Sequence, residues 1–107
     1  MIKIKALSVN KAWQGRRFKT PDYKTYEQEL LYLLPKRKVG RGELELYITF
    51  GVSNRASDID NLLKPFLDCL QKKYSFNDNR IYFLEVRKEI VKKGDDFIDF
   101  DIYELST

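Results

Sequence analysis

The chain has 107 residues, of which 43% are hydrophobic and 34% charged, the balance of a chain that folds rather than of a disordered one. A formal charge of +4 and a pI of about 9.1 favour a polyanionic partner. The absence of histidine excludes a histidine base and most zinc sites, and the single cysteine, Cys69, excludes an internal disulfide. Catalysis would have to use carboxylates, lysine or a metal held by oxygen.

The same features indicate where the protein acts. No run approaches the roughly 18 apolar residues of a membrane span. The start, MIKIKALSVN, lacks the hydrophobic block of a signal peptide, and a lone cysteine suits a reducing compartment. We therefore expect a cytoplasmic protein without a membrane partner, folded as a single domain over residues 1–107.

The first third of the chain predicts a strand, a basic loop and a helix. IKIKAL alternates apolar and basic residues from Ile2, as a half-buried strand does. The following segment, SVNKAWQGRRFKTPDYK, combines turn formers, aromatic residues and five basic residues, which is typical of a loop. From Pro21 to Leu34, an initial proline, an acidic first turn and a closing Pro35 predict the first helix.

The rest of the chain predicts three strands and a second helix. ELELYITFGV alternates as a long strand, and the helix from Ile59 to Lys73 is followed by a loop around Asp78. RIYFLEVRKEIV and DFIDFDIYEL read as strands, and KKGDD between them predicts a hairpin turn and an antiparallel pair. The order β, α, β, α, β, β predicts an α+β fold, a mixed sheet with two helices packed on one face.

The second predicted helix has a polar face that begins with two carboxylates. Its apolar residues fall in one sector: Ile59, Leu62, Leu63, Phe66, Leu67 and Leu70. Asp60, Asn61, Lys64 and Asp68 lie on the opposite side, and Asp58 precedes the first turn. Because Asp60 and Lys64 are four residues apart, their side chains are neighbours on the helix surface.

A structural interpretation accounts for the D-x-D pattern taken alone. In it, Ser57 or Asp58 caps the helix, and Asp60 complements the helix dipole. Asp60 and Lys64 then form a helical ion pair of about 0.3 to 0.5 kcal/mol. Such sequences are common at helix starts, so the pattern needs support before it indicates chemistry.

A third carboxylate would give that support. Asp78 reaches the same point if the strand from Ile81 pairs beside the strand that ends near Val52. Three converging carboxylates repel one another and raise one another's pKa, so a site built from them calls for a divalent cation. Oxygen ligands select Mg²⁺ or Mn²⁺ rather than zinc. The alternative for Asp78 is that NDN is simply a turn.

Three segments carry a resemblance to a known family. SVNKAW, DIDNLLKPFLDCL and FNDNRI resemble, in order and separation, the RusA family of Holliday junction resolvases, over roughly Ser8 to Lys88. The resemblance implies a homodimeric endodeoxyribonuclease that cuts four-way DNA junctions with Mg²⁺ or Mn²⁺. It implies that Asp58, Asp60 and Asp78 bind the metal and that Lys64 is the essential basic residue.

Further residues are candidates for DNA contact or support. Asn10 matches the asparagine of the family's S-x-N element, and Asn61 and Asp68 fit the motif as supporting residues. The candidate DNA-binding residues are Asn10, Lys11, Arg16, Arg17 and Lys19. A second basic cluster consists of Lys36, Arg37, Lys38 and Arg41. The alternative for both clusters is a solvated loop.

Several questions stay open at this level. Lys64 could contact the scissile phosphate or stabilise the leaving group, and the number of metal ions is undetermined. A non-catalytic nucleic-acid-binding accessory protein of replication or recombination would keep the fold without needing the acidic trio. A nuclease acting on flaps or forks would share every residue. A homodimer is expected because a four-way junction has near two-fold symmetry and needs two matched cuts.

Overall fold

The computed structural model describes residues 1–14 and 18–105, with side chains for residues 1–10 and 19–105. At its centre lies strand β3, Leu44–Val52, which carries the alternating apolar residues expected from the sequence. These residues are buried: Leu44, Leu46, Ile48, Phe50 and Val52. Since successive side chains of a strand point to opposite faces, they give β3 one fully apolar face.

Helices cover this face. A short α1, Val9–Ala12, precedes α2, Pro21–Leu33, and α3, Ile59–Tyr74. The α2 helix begins at Pro21 because Thr20 caps it, its hydroxyl accepting from the Tyr23 N–H at 3.1 Å. Phe66 of α3 packs edge-on against Phe50, with 5.7 Å between ring centroids, and so joins this helix to the sheet.

The sheet has three strands in the order β4, β3, β5. Strand β4, Ile81–Ile90, runs parallel to β3, with Ile81 beside Leu44 and Ile90 beside Val52. Strand β5, Phe97–Glu104, runs antiparallel on the other side of β3. Two short strands, Trp13–Gln14 (β1) and Phe18–Lys19 (β2), pair antiparallel in the basic segment.

Most predicted elements are confirmed, and the α+β fold class with them. The predicted hairpin of the last two strands is wrong, because β4 and β5 flank β3 instead of pairing with each other. The connection between them crosses the end of β3, where the Val91 N–H donates to the Val52 carbonyl at 2.9 Å. Gly94, with φ of 93°, supplies the turn that the KKGDD segment predicted.

The predicted N-terminal strand is reduced to a single bridge. Ile2 exchanges backbone hydrogen bonds with Ile98 of β5 at 2.8 and 2.9 Å. Ile2 and Ile4 are buried while Lys3 and Lys5 are exposed. The alternation of buried and exposed residues predicted from the sequence is therefore confirmed. The segment therefore packs like a strand but pairs with β5 at only one point.

Candidate active site

The loop before α3 is held by residues other than its carboxylates. Asn54 accepts from the Ala56 N–H at 2.9 Å through its side chain. Lys88 of β4 donates to the carbonyls of Arg55 (3.1 Å) and Ser57 (2.8 Å), which ties the loop to the end of β4. The loop thus keeps its shape without using the Asp58 side chain.

Asp58 stands at the N-cap of α3 but makes no side-chain capping hydrogen bond. Its carboxylate accepts instead from the Asn61 side-chain amide at 3.3 Å, and it is exposed. Capping by Asp58, one element of the structural interpretation, is therefore absent. A carboxylate that is exposed and not used as a cap remains available to a ligand.

Asn10 and Asp58 line the same cleft, of about 410 Å³, between the N-terminal segment and the start of α3. Ser8 of the S-x-N element also lines it, with its hydroxyl accepting from the Asn10 N–H at 3.2 Å. Lys5 of the same N-terminal segment and Asp22 of α2 also line it. The structure thus brings the early S-x-N element to the D-x-D element, 48 residues later in the chain.

Lys64 points away from Asp60, along the helix. Its ammonium group forms an ion pair with Asp68 at 2.9 Å, in place of the Asp60 pair of the structural interpretation. The Asp68 hydrogen bond raises the pKa of Lys64, against a smaller lowering effect of burial, and the charges of Asp68 and Asp78 add to the rise. Tyr23 of α2 in turn hydrogen-bonds Asp68, which connects this lysine to the core.

Asp78 lies at the far end of α3. It begins a short 3-10 helix, Asp78–Arg80, and its N–H donates to the Gln71 side chain at 2.9 Å. Arg80 donates to the carbonyls of Gly40 and Gly42 and anchors this turn to the start of β4. Both the Gln71 contact and the Arg80 anchor fix Asp78 to one place.

Within one chain, Asp78 is therefore remote from the other two carboxylates. Gln71 follows Asp60 by eleven residues, which at a helical rise of 1.5 Å per residue is about 16 Å along the axis. The predicted pairing of β4 with β3 is present, but its parallel direction sends Asp78 to the Leu44 end of the sheet and Asp58 to the Val52 end.

The donor chemistry suits Mg²⁺ or Mn²⁺, since all three side chains are exposed carboxylates. The arrangement of these three carboxylates within a single chain does not suit a metal ion. Among the residues that the structure describes, no group of three His, Cys, Asp or Glu stands close enough to hold a metal ion. The metal-binding role of Asp58, Asp60 and Asp78 stays a prediction, and one chain alone does not provide the complete set.

The candidate DNA-binding residues fall into two groups. Asn10 is exposed at the cleft, whereas Lys19 pairs with Glu27 at 2.8 Å and lies 4.9 Å above the Tyr23 ring, so it serves the fold. Arg16 and Arg17 lie outside the described residues, as does the side chain of Lys11. Of the second cluster, Arg37 donates to the Ile102 carbonyl at 2.8 Å and the others are exposed.

Sequence reasoning missed four residues that shape the site. Lys88, Gln71, Asp22 and Lys5 were interpreted only as strand or helix residues. Their importance comes from contacts between segments distant in the chain, so periodicity gave no signal for them. For Lys88 a hint existed, since a lysine on the apolar face of a strand, beside Phe50, needs a polar partner.

The sequence model of the family described as Endodeoxyribonuclease RusA matches residues 5–96. The chain belongs to this family, and the match includes the whole cleft-lining S-x-N and D-x-D region and Asp78. A search of curated proteins gave no match. Membership identifies the chain as an endodeoxyribonuclease, a hydrolase acting on DNA, of the Holliday junction resolvase type. No helix among the described residues is long and apolar enough to cross a membrane.

Proposed function

We propose that this protein resolves Holliday junctions in the cytoplasm, by paired, symmetric hydrolysis of phosphodiester bonds in four-way DNA. The family match over residues 5–96 carries the proposal, because the matched range includes the S-x-N element, the D-x-D element and Asp78. The exposed, uncapped Asp58 carboxylate supports it, since a merely structural helix start would use that side chain as a cap.

In this proposal, Asp58, Asp60 and Asp78 hold Mg²⁺ or Mn²⁺, and the protein acts as a homodimer. When bound, such a cation neutralises charge on the phosphate and activates water. Lys64 contributes a positive charge at the scissile phosphate. The ion pair with Asp68 holds the Lys64 ammonium group in place. Asn10, which lines the same cleft as Asp58, positions the DNA strand.

A cleavage assay tests this function. The protein is incubated with a synthetic four-way junction, a linear duplex and a flap, each with Mg²⁺, Mn²⁺ or EDTA. We expect symmetric nicks in the junction only, abolished by EDTA and reduced at least a hundredfold in Asp60→Asn, with junction binding retained. Asp101→Asn, an equivalent change on the opposite sheet face, serves as the control and should cut normally.

The other outcomes are informative. Cleavage by Asp60→Asn at the wild-type rate would remove Asp60 from the site. Equal cutting of flaps and junctions would replace junction specificity with a broader branched-DNA nuclease. Junction binding without any cleavage would indicate a DNA-binding accessory protein.

A further inference from the structure

The face of the sheet that the helices leave uncovered carries a cluster of aromatic rings. Tyr47 of β3 lies at its centre, with its ring centroid 5.6 Å from that of Phe83 and 6.0 Å from that of Tyr103. Phe83 and Tyr103 are 46% and 53% exposed. A sheet face that meets only solvent usually carries polar residues. Exposed aromatic residues that contact one another therefore indicate a surface with a binding role.

Carboxylates surround this aromatic cluster. In the strand register, Glu85 of β4 and Asp101 of β5 stand on either side of Tyr47. Glu45 accepts a hydrogen bond from the Tyr47 hydroxyl. That bond is the main reason that the pKa of Tyr47 is raised to about 12, and partial burial and the charges of Glu45 and Glu85 add to the rise. The central ring therefore lies among negative charges.

The chain itself compensates few of these negative charges. Arg87 is the basic residue of this face among those described, and it contacts Glu85 at 3.5 Å while remaining 72% exposed. Among the described residues, three further carboxylates of the face form no ion pair: Glu45, Glu89 and Asp101. These carboxylates remain able to pair with a cation from outside the chain.

We propose that this uncovered face is a docking surface for a lysine- and arginine-rich segment of a partner protein. A basic side chain over the Tyr47 ring would contact the ring face and the carboxylates of Glu85 and Asp101 together. Asp99 and Asp101 lie two residues apart on β5, about 7 Å along the strand. Alternate side chains of an extended segment have the same spacing, so successive basic residues can pair with successive carboxylates.

Charge distinguishes this partner from other occupants of the face. Nucleic acids and anionic membranes present phosphate groups, which the carboxylates repel. A second copy docked through the same face would place carboxylates against carboxylates. A cationic polypeptide complements both the aromatic rings and the negative charges.

The docking surface and the candidate active site use different faces of the sheet. Helix α3, which begins directly after Asp58, packs on the buried face, where Phe66 contacts Phe50. A partner on the uncovered face would leave the Asp58 cleft accessible. The protein could then be held by a basic partner while the cleft binds DNA. The docking surface itself does not depend on the proposed nuclease activity.

Peptide binding tests the docking surface. A short fluorescein-labelled peptide that alternates arginine with serine is titrated with the protein at low salt, and its anisotropy is measured. We expect saturable binding to the wild type, weakened about fivefold by Glu45→Gln with Asp101→Asn, which removes two carboxylates beside Tyr47. Tyr47→Leu should weaken binding about threefold, because the ring face is lost. The same peptide with glutamate in place of arginine should not bind.

A matched double variant controls for net charge. Glu29→Gln with Asp95→Asn removes two negative charges from exposed positions outside this face, and it should bind the arginine peptide as the wild type does. Far-UV circular dichroism verifies that every variant is folded. Equal weakening by the two double variants would assign the effect to net charge and overturn the proposal. Failure of the wild type to bind the arginine peptide would also overturn it.

Two further measurements locate the occupant. In NMR titrations, the peptide should shift the amide signals of β3, β4 and β5 around Tyr47. Shifts concentrated in residues 57–61 would place the peptide on the candidate active-site carboxylates and overturn the proposal. Light scattering compares the wild type with the Glu45→Gln, Asp101→Asn variant, which should have the same mass. A smaller mass for the variant would show that a second copy covers this face, which also overturns the proposal.

Discussion

Asp58 occupies a position where aspartate normally stabilises a helix, and its carboxylate is released from that task by its neighbours. Asn54 shapes the preceding turn, and Lys88 satisfies two loop carbonyls that would otherwise lack partners. A site residue can be exposed and chemically available when other residues maintain the backbone around it. Lys88 of β4 thus holds the loop from which the Asp58 side chain projects.

Replacement of Lys88 by methionine should loosen this loop. The change keeps the length of the side chain but removes both hydrogen bonds, at a cost of about 1 kcal/mol. We expect faster amide hydrogen exchange in residues 53–58 and junction cleavage reduced about tenfold, with the remaining fold intact. Lys92→Met, in the exposed β4–β5 connection, is the control. Unchanged exchange in the loop would show that Lys88 does not hold it.

Glu27 provides a pH-dependent contribution to stability. Burial alone would raise its pKa, but hydrogen bonds from Lys19 and Lys72, at 2.8 and 2.9 Å, lower it below the model-peptide value of 4.5. A carboxyl group whose pKa is lowered by folding stabilises the fold above its unfolded pKa, and this contribution disappears as pH falls through the folded pKa.

Glu27→Gln should therefore lower the free energy of unfolding by about 1 kcal/mol at pH 7, since the carboxylate is only 15% exposed. As pH falls from 7 through the folded pKa of Glu27, this difference should shrink. Urea unfolding over a descending pH series measures it. Glu29→Gln, exposed on the same helix, should change little across the series. A difference that stays constant as pH falls would assign the effect to packing.

At the scale of elements, the local sequence pattern was sufficient to predict the helices and strands, but not to predict which strands pair. The helices predicted over Pro21–Leu34 and Ile59–Lys73 end within one residue of the observed ones, because periodicity and proline positions are local signals. The KKGDD segment does make a turn. The same turn-forming residues can connect two paired strands in a hairpin or two strands that flank a third strand. The order β4, β3, β5 follows from backbone pairing on both edges of β3, which the local pattern does not encode.

The candidate site shows the same difference between what the sequence predicts and what only the folded structure gives. Its residues could be named from the sequence because their types and spacing match a motif. Their placement depended on whether β4 runs parallel or antiparallel to β3, which no local feature encodes. The parallel direction moves Asp78 by the length of the sheet. The three carboxylates expected to form one site therefore do not meet within one chain.

Gly51 marks a close contact between β3 and β5. It lies opposite Phe97, and a Cβ added there would overlap the Phe97 ring. Gly51→Ala should destabilise the fold by about 1 to 3 kcal/mol, because the buried ring must move. Gly51→Ala combined with Phe97→Leu should recover part of this loss. Thermal unfolding checks both, and an unaltered midpoint in the single variant would show that the ring has room to shift.

For the whole molecule, the two faces of the sheet differ in charge. The face not covered by helices carries Glu45, Glu85, Glu89, Asp99 and Asp101, with Arg87 as its basic residue among those described. Three aromatic rings also meet there, with Tyr47 5.6 Å from Phe83 and 6.0 Å from Tyr103. An acidic surface repels phosphate, so a protein of net charge +4 must present its basic groups to DNA elsewhere.

Two neighbouring clefts on the helix side contain lysines that could contact phosphate. Lys5 lines both the cleft that contains Asp58 and a second cleft, of about 650 Å³. Lys3 and Lys93 also line the second cleft, together with Asp22, Glu29 and Asp96. A DNA strand leaving the candidate active site along the N-terminal segment would pass these three lysines. We therefore expect the phosphate backbone to pass these lysines, away from the acidic sheet face.

Lys5→Ala tests this path. Loss of one phosphate contact should weaken junction binding several-fold at low salt and reduce the slope of log affinity against log salt by about 0.9. Fluorescence anisotropy over a salt series measures both. Asp101→Asn on the acidic face removes a charge far from the path and should leave the slope unchanged. If Lys5→Ala keeps the wild-type slope, the DNA does not follow these clefts, and the basic residues of the first loop become the better candidates for phosphate contact.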